Sequence, residues 1–339
     1  MSNAGERFKK ILEQMEKEEA QKNDIVVPVN SLRVNEKFEF ESEDVGKVGM
    51  TDHAFGQLCS ELYSYALPAE YFRNLHKENP EWFAEQFNKH LEKGKSVERK
   101  LRILGGQGEQ GNESLVRGIV SPNYVPFDNI DALRAFEAST KDRAFDLVTS
   151  RINDRLMFMR FAFLDTERNF GRSFDGQDDK NYVGLDLVNS EVGLTSVISN
   201  PSVFRLICTN GMVSKDAEYG FYKQRHIFIN PKQVSLDMRQ SIVHGVELGE
   251  EMLHNMERAR QIKIDNPYEL ITRHGKKSRF SEKTLRTVRE KYDIEPEGNL
   301  FSVVNAFTRT ATGIKSVQPR LEMEKKASKI MMEELKIRA

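Results

Sequence analysis

One long helical pattern constrains the fold of this chain more than any other feature. It covers residues 231–262 and directly follows three apolar, strand-like runs at residues 182–188, 202–208 and 221–229. Asn210-Gly211 favours a tight reversal between strands, because Gly adopts positive φ without steric cost. We therefore predict an α+β fold in which a central antiparallel β-sheet packs against this long helix.

Turn and charge patterns divide the rest of the chain. Its 339 residues are enough for one large or two medium domains. Residues 1–23 have the spacing of a peripheral amphipathic helix, and residues 24–265 form the predicted α+β core domain with a small N-terminal α/β part. Asn266-Pro267 breaks the chain after the long helix, so residues 266–339 are predicted as a basic helical C-terminal region.

Charge is distributed unevenly along the chain. Residues 256–339 contain 19 basic and 12 acidic side chains, so they carry +7, whereas the rest carries −8 of a total of −1. Such a basic region is either an ordinary solvated helical surface or a surface for an anionic partner such as nucleic acid.

Composition excludes several classes of protein. The two cysteines, Cys59 and Cys208, lie far apart in sequence, which argues against a disulfide scaffold or a zinc cage and fits a reducing cytosol. No apolar run approaches the length of about 18 residues that a membrane span needs. The charged N-terminus does not look like a secretory signal. We expect a cytoplasmic protein of a bacterial host cell, with no membrane association and no cofactor or metal.

Six short motifs together resemble a known family. They are TDHAFGQLC (51–59), LPAEYFRNL (67–75), VRGIVSPNYVPFDN (116–129), NSEVG (189–193), FRLICTNGM (204–212) and RH (225–226). The chain resembles the phage/plasmid-like protein family of unknown function, domain of unknown function 932, over about residues 29–307. The resemblance implies an origin on phages, prophages or plasmids. It implies no established catalytic activity, so no catalytic residue carries over. The sequence SPNYVPFDN lacks the Arg that is usual in this loop.

Basic side chains alternate with apolar ones along several predicted strands. Alternation places the charges on one face of a sheet and the apolar side chains on the other. Aromatic side chains in or beside loops could stack on bases. The residues predicted to contact nucleic acid are Lys100, Arg102, Arg117, Tyr124, Arg151, Arg155, Arg160, Arg205, Lys223, Arg225 and His226. For Arg205, a structural ion pair with Glu191 or Asp186 is the alternative, because an Arg among apolar neighbours needs an acceptor.

These features favour a non-catalytic nucleic-acid-binding protein. Single-stranded DNA is the expected partner, in phage or plasmid recombination or replication, with the protein as a homo-oligomer. The order of a strand meander and a long helix is also that of phage single-strand annealing proteins, although this is an analogy of fold only.

Two other functions remain open. The amphipathic N-terminal helix and the charged C-terminal helices suit a protein-interaction or structural factor. A metal-dependent nuclease needs converging carboxylates, and its candidates are Glu98, Asp165, Glu167, Asp175, Asp178 and Asp179. A Cys208–His226 nucleophile pair is less favoured than core packing of the Cys, because Cys208 lies in an apolar run.

Overall fold

The computed structural model describes residues 4–62, 67–94, 96–105, 114–173, 176–205, 210–213 and 221–338. The N-terminal part contains α1 (Ala4–Glu19), β1 (Lys22–Pro28), β2 (Arg33–Val34), β3 (Glu39–Ser42), β4 (Gly46–Met50), α2 (Asp52–Glu61), α3 (Ala69–Glu78), α4 (Pro80–Lys93), β5 (Glu98–Leu104) and β6 (Leu115–Val120). The remainder contains α5 (Asn129–Ser139), β7 (Phe145–Ile152), β8 (Met157–Phe163), β9 (Arg168–Arg172), β10 (Asp178–Asn189), β11 (Val197–Arg205), β12 (Asn210–Val213), β13 (Tyr222–Gln224), α6 (Pro231–Gln261), α7 (Pro267–Lys277), α8 (Glu282–Tyr292), α9 (Leu300–Thr312) and α10 (Val317–Arg338).

The first sheet belongs to the N-terminal part. Within the described residues its strand order is β1-β5-β6-β4-β3-β2, antiparallel except for the parallel pair β4 and β6. Helices α2, α3 and α4 cover one face, where Phe55, Phe83 and Phe87 pack with Leu101 of β5. Because side chains alternate along a strand, Arg102 of β5 faces away from this helical layer.

The second sheet is the predicted central antiparallel sheet. In the described residues its order is β12-β11-β10-β8-β7, with β13 also paired to β11 and β9 to β10. The predicted reversal at Asn210-Gly211 is wrong, because both residues lie in β12 opposite Arg205 and Phe204. Residues 206–209, which include Cys208, lie outside the described residues.

Helix α6 confirms the predicted long helix. It begins at Pro231. The side chain of the preceding Asn230 accepts a hydrogen bond from Lys232 N and so caps the first turn. Gly249 allows a close approach to the second sheet, because a Cβ there would lie 2.3 Å from a Val183 side-chain carbon. The helix therefore lies directly on β10.

Buried apolar side chains form two large cores among the described residues. One joins the second sheet to α1, α5 and the helices from α6 onward, and the other lies between the first sheet and α2–α4. The opposite face of the second sheet is covered in part by α10, where Leu321 packs with Phe158, Val188 and Ile198. The α+β class is confirmed, whereas the domain boundaries stay a prediction. No helix in the described residues has the length and apolar character needed to cross a membrane.

Candidate functional site

Five of the predicted nucleic-acid-binding residues come together where the two sheets meet. They are Lys100, Arg102, Arg117, Tyr124 and His226. The charged groups that surround them are Lys22, Asp24, Asp128 and Glu191. We call the set Lys22, Asp24, Arg102, Arg117, Asp128 and Glu191 the junction network.

Arg102 is the centre of the junction network. Its side chain is 2% exposed, and its Nη1 and Nη2 donate to Asp128 Oδ1 and Oδ2 at 2.7 and 3.0 Å. Nε donates to Asp24 Oδ2 at 3.1 Å, and Nη1 also donates to the Glu191 carbonyl at 2.6 Å. Burial would raise the pKa of Asp128, but the charges of Arg102 and Lys22 outweigh it and lower this pKa to about 2.

Glu191 links the remaining cations of the network. Its Oε1 accepts from Lys22 Nζ at 2.9 Å and from Asn129 N at 2.8 Å, while its Oε2 accepts from Arg117 Nη2 at 2.7 Å. Three cations thus face three carboxylates. The prediction that Arg102 and Arg117 lie on an open basic surface is wrong, because both side chains are buried and neutralised.

Tyr124 and His226 form a buried stack beside this network. Their rings lie 4.9 Å apart and 12° from parallel, and the Arg102 guanidinium lies 5.6 Å from the centre of the Tyr124 ring. Lys100 Nζ donates to the Tyr124 carbonyl at 2.5 Å. Neither ring nitrogen of His226 has a hydrogen-bond partner in the described residues, and burial lowers its pKa to about 4. Both side chains are buried, so the structure contradicts their prediction as residues that contact nucleic acid.

Four of the six motifs that carry the family resemblance meet at this junction: residues 51–59, 116–129, 189–193 and 225–226. Thr51 Oγ1 donates to the Arg117 carbonyl at 3.0 Å, and Gln57 Nε2 donates to the Val192 carbonyl at 2.8 Å. Asn189 Nδ2 donates to the Phe127 carbonyl at 3.0 Å. Of these three bonds, the one from Gln57 crosses between the N-terminal part and the second sheet. Together with the ion pairs of the junction network it holds these two parts together, and we call these crossing contacts the clamp.

Arg160 belongs to a second buried network. Its side chain is 0% exposed, and it donates to Asp186 Oδ1 at 2.6 Å and to Glu324 Oε2 at 2.6 Å, both also 0% exposed. Burial would lower the pKa of Arg160, but these two carboxylates raise it. The prediction of Arg160 as an exposed phosphate ligand is wrong, because α10 covers it with Glu324.

Arg205 belongs to a third buried network. It donates through Nε to Asp179 Oδ1 at 2.6 Å and through Nη1 to Glu295 Oε2 at 2.7 Å, so the alternative partners Glu191 and Asp186 are wrong. Its guanidinium also lies 5.2 Å from the centre of the Phe301 ring. Arg205 therefore supports the structure and is not available as a nucleic-acid ligand.

The other predicted cations are solvent-exposed but separate. They are Arg151, Arg155, Lys223 and Arg225. Cross-strand pairs place Arg151 and Lys223 at the two ends of one row of residues across β7, β8, β10, β11 and β13. Four strand spacings of about 4.8 Å put them roughly 19 Å apart, and Leu321 of α10 packs over the middle of the row. The predicted continuous basic face is therefore wrong.

The carboxylates proposed for a nuclease do not converge. Asp165 pairs with Arg143 at 2.8 Å, Glu167 pairs with Lys180 at 2.8 Å, and Asp179 is buried against Arg205. Asp175 lies outside the described residues. Among the residues that are described, no group of three or more His, Cys, Asp or Glu side chains could hold a metal ion.

A groove of about 440 Å³ that the sequence did not suggest lies between the first turns of α5 and α6. Its lining consists of Phe127, Asp131, Arg134, Pro231, Lys232, Ser235, Leu236 and Arg239. We call it the α5–α6 groove. The sequence signal that could have indicated the groove is the spacing of Lys232 and Arg239, which lie two helical turns apart with Leu236 between them.

Two of the three cations that line the α5–α6 groove form no ion pair within the described residues. Its carboxylate, Asp131, accepts from Asp128 N at 2.9 Å and so completes the capping of α5. Arg134 forms an exposed pair with Glu16 at 3.1 Å, which is worth little in water. Lys232 and Arg239 form no ion pair with any described residue. The groove therefore combines cations with apolar walls.

The family model of a domain of unknown function, DUF932, matches residues 116–329. The chain belongs to the DUF932 family. No curated protein and no solved structure matches it. In this DUF932 protein, the matched region contains the whole α5–α6 groove, whereas Lys22, Asp24 and Arg102 of the junction network lie before it. The phage or plasmid origin, the cytoplasmic location and a homo-oligomeric state stay predictions.

Proposed function

We propose that this DUF932 protein is a non-catalytic nucleic-acid-binding protein and that the α5–α6 groove is its binding site. The single observation that carries the proposal is the arrangement of Arg134, Lys232 and Arg239 around an apolar lining. Lys and Arg bind phosphates, and apolar walls contact the faces of sugars and bases. Single-stranded DNA is the ligand to test first, because its bases are free to enter a groove.

The size and charge of the α5–α6 groove fit a short segment of a strand. Its volume of about 440 Å³ falls in the range of about 300–1,000 Å³ that is usual for small-ligand sites. Three phosphate contacts on a single strand predict a slope of about −2 for log K against log salt concentration. Raising the salt from about 50 to 200 mM would then weaken binding roughly 20-fold.

Fluorescence anisotropy with labelled single-stranded oligonucleotides tests this proposal. The double variant Lys232→Gln/Arg239→Gln is expected to bind more weakly and to lose about 1.4 units of salt slope, because each lost phosphate contact removes about 0.7. Lys283→Gln/Arg286→Gln is the matched control, since it removes the same charge from exposed positions on α8. This control is expected to retain the slope of the wild type.

Two results would contradict the proposal. The first is an absence of binding at micromolar protein in low salt. The second is an equal loss of affinity in both double variants, which would assign binding to net charge rather than to the groove. A role in recombination or replication rests on the family resemblance alone and would be tested next, by strand-annealing assays.

A further inference from the structure

Phe228 combines two unfavourable features. It is 79% exposed, and its φ of 53° lies in the left-handed region. That region is sterically unfavourable for a non-glycine residue, and exposure forgoes the free energy gained by burying an aromatic ring. Strain of this kind persists where the surrounding structure enforces it, and it concentrates at functional sites.

The other two non-glycine residues described with positive φ have clear internal reasons for it. Phe38, with φ of 63°, places its ring 4.8 Å from Phe55 and 5.4 Å from Phe83, so aromatic packing offsets the strain. Arg279, with φ of 57°, lies just beyond the end of α7, a usual place for a left-handed residue. The ring of Phe228 has no aromatic or cationic contact within the described chain.

The backbone on both sides of Phe228 is anchored. Ile227 forms an isolated β-bridge with Tyr124, and the His226 carbonyl accepts from Val125 N at 2.7 Å. Two residues further on, Asn230 caps the first turn of α6. The exposed ring is thus presented from a fixed position, and a ligand that contacts it has little chain to order.

Phe228 is also close to the α5–α6 groove. Pro231 lies three positions further along the chain, so the two Cα atoms are at most about 10 Å apart. Arg225 is exposed on one side of Phe228 in sequence, and Lys232 lines the groove on the other. An exposed aromatic ring flanked by cations is the combination that single-stranded nucleic-acid sites use.

We infer that Phe228 is a stacking platform for an unpaired base and sets a preference for single strands. The inference rests on the proposed function and deepens it. Phosphates in the α5–α6 groove hold the strand, and a neighbouring base lies flat on the Phe228 ring. A base in a duplex already has both faces covered by its neighbours, so only an unpaired base can use this surface.

Two matched single-stranded oligonucleotides separate phosphate binding in the groove from base stacking on Phe228. Oligo-dT and an abasic oligonucleotide of the same length carry the same phosphates, but only the first has bases. Base stacking on an aromatic side chain is worth about 1–3 kcal/mol, which corresponds to a roughly 5- to 150-fold preference of the wild type for oligo-dT. Phe228→Ala is expected to lower this preference by at least about 5-fold, while its affinity for the abasic strand and its salt slope stay unchanged. Phe228→Trp keeps an aromatic plane and is expected to retain the preference.

The possible failures are distinguishable. Wild-type protein that binds neither oligonucleotide would overturn the proposed function and this inference together. Wild-type protein that binds both equally would leave the groove standing but overturn the stacking role. The stacking role would also be overturned if Phe228→Ala kept the preference for oligo-dT or bound both oligonucleotides more weakly by the same factor. Thermal unfolding of both variants shows that a lost preference does not come from unfolding.

Discussion

Replacing Arg160 by Met tests the view that the basic strand residues are structural. Arg160 donates four hydrogen bonds to Asp186 and Glu324, at 2.6, 2.7, 3.1 and 2.6 Å, inside a region with no solvent exposure. Met has a similar length but no charge. The substitution removes the cation that is hydrogen-bonded to the buried Asp186 carboxylate, whereas Glu324 keeps Arg320 Nε at 3.1 Å.

Breaking a buried ion pair from one side costs about 3–5 kcal/mol, so we expect Arg160→Met to lower the free energy of unfolding by about 4 kcal/mol near pH 8. In the wild type, burial raises the pKa of Asp186 even though the charge of Arg160 acts to lower it. Without Arg160 this pKa rises further. The folded variant then holds a proton that the unfolded chain releases, so its stability falls as pH rises above the ordinary Asp range.

The loss should therefore be smaller at pH 5 than at pH 8, because the raised pKa of Asp186 lets the folded variant keep a proton on this carboxyl at the lower pH. Urea unfolding followed by far-UV circular dichroism at both pH values measures this difference. Arg151→Met is the control, because Arg151 is exposed on the adjacent strand and its loss should stay within about 0.5 kcal/mol.

A double variant separates the charge from the packing. Arg160→Met/Asp186→Leu removes the unpaired carboxylate, so it is expected to be more stable than Arg160→Met alone although it lacks one more native side chain. A loss below about 1 kcal/mol for the single variant, or an equal loss at the two pH values, would refute the argument that Arg160 is held by buried charge.

Three other substitutions test separate features. His226→Phe replaces a buried imidazole without hydrogen-bond partners; we expect equal or higher stability at pH 7.5. In the folded protein the pKa of His226 is lowered to about 4, so the neutral imidazole contributes its full stability above about pH 6.5 and loses it as pH falls toward 4. Urea unfolding midpoints of the variant should therefore fall less between pH 6.5 and 4 than those of the wild type. Glu191→Gln leaves Lys22 and Arg117 without their shared carboxylate, and differential scanning fluorimetry should show a loss of about 3 kcal/mol; an unchanged melting temperature would contradict the clamp. Phe228→Gly removes the left-handed strain, so its free energy of unfolding, measured by urea titration, should match that of the wild type or exceed it by up to about 1 kcal/mol. A clear loss would show that the ring packs within the chain.

Local signals predicted the elements well. Asn230 and Pro231 mark the start of α6, and the structure begins the helix at that position. Strand β10 was predicted as residues 182–188 because its apolar run is continuous, although the strand extends over Asp178–Asn189. Signals of this kind depend on neighbouring residues, which the sequence displays directly.

Ion pairs between residues that are distant in sequence could not be predicted from local patterns. Alternation placed Arg160 on the opposite face from the apolar side chains, but it could not show that Glu324, 164 residues later, covers that face. Asp24 is likewise 78 residues from Arg102. The sequence did not predict the α5–α6 groove either, because the walls of the groove come from segments about a hundred residues apart in sequence.

The junction network has a consequence for anyone who wishes to express the DUF932 region by itself. The family match begins at Val116, so an excised fragment would keep Asp128 and Glu191 but discard Lys22 and Arg102. It would also contain β6 without its antiparallel neighbour β5. Such a fragment would expose two carboxylates with Arg117 as their remaining cation from the junction network, and it would leave one edge of β6 unpaired. We therefore expect the fragment to be less stable than the full chain, because the upstream residues supply the counterions of the matched region.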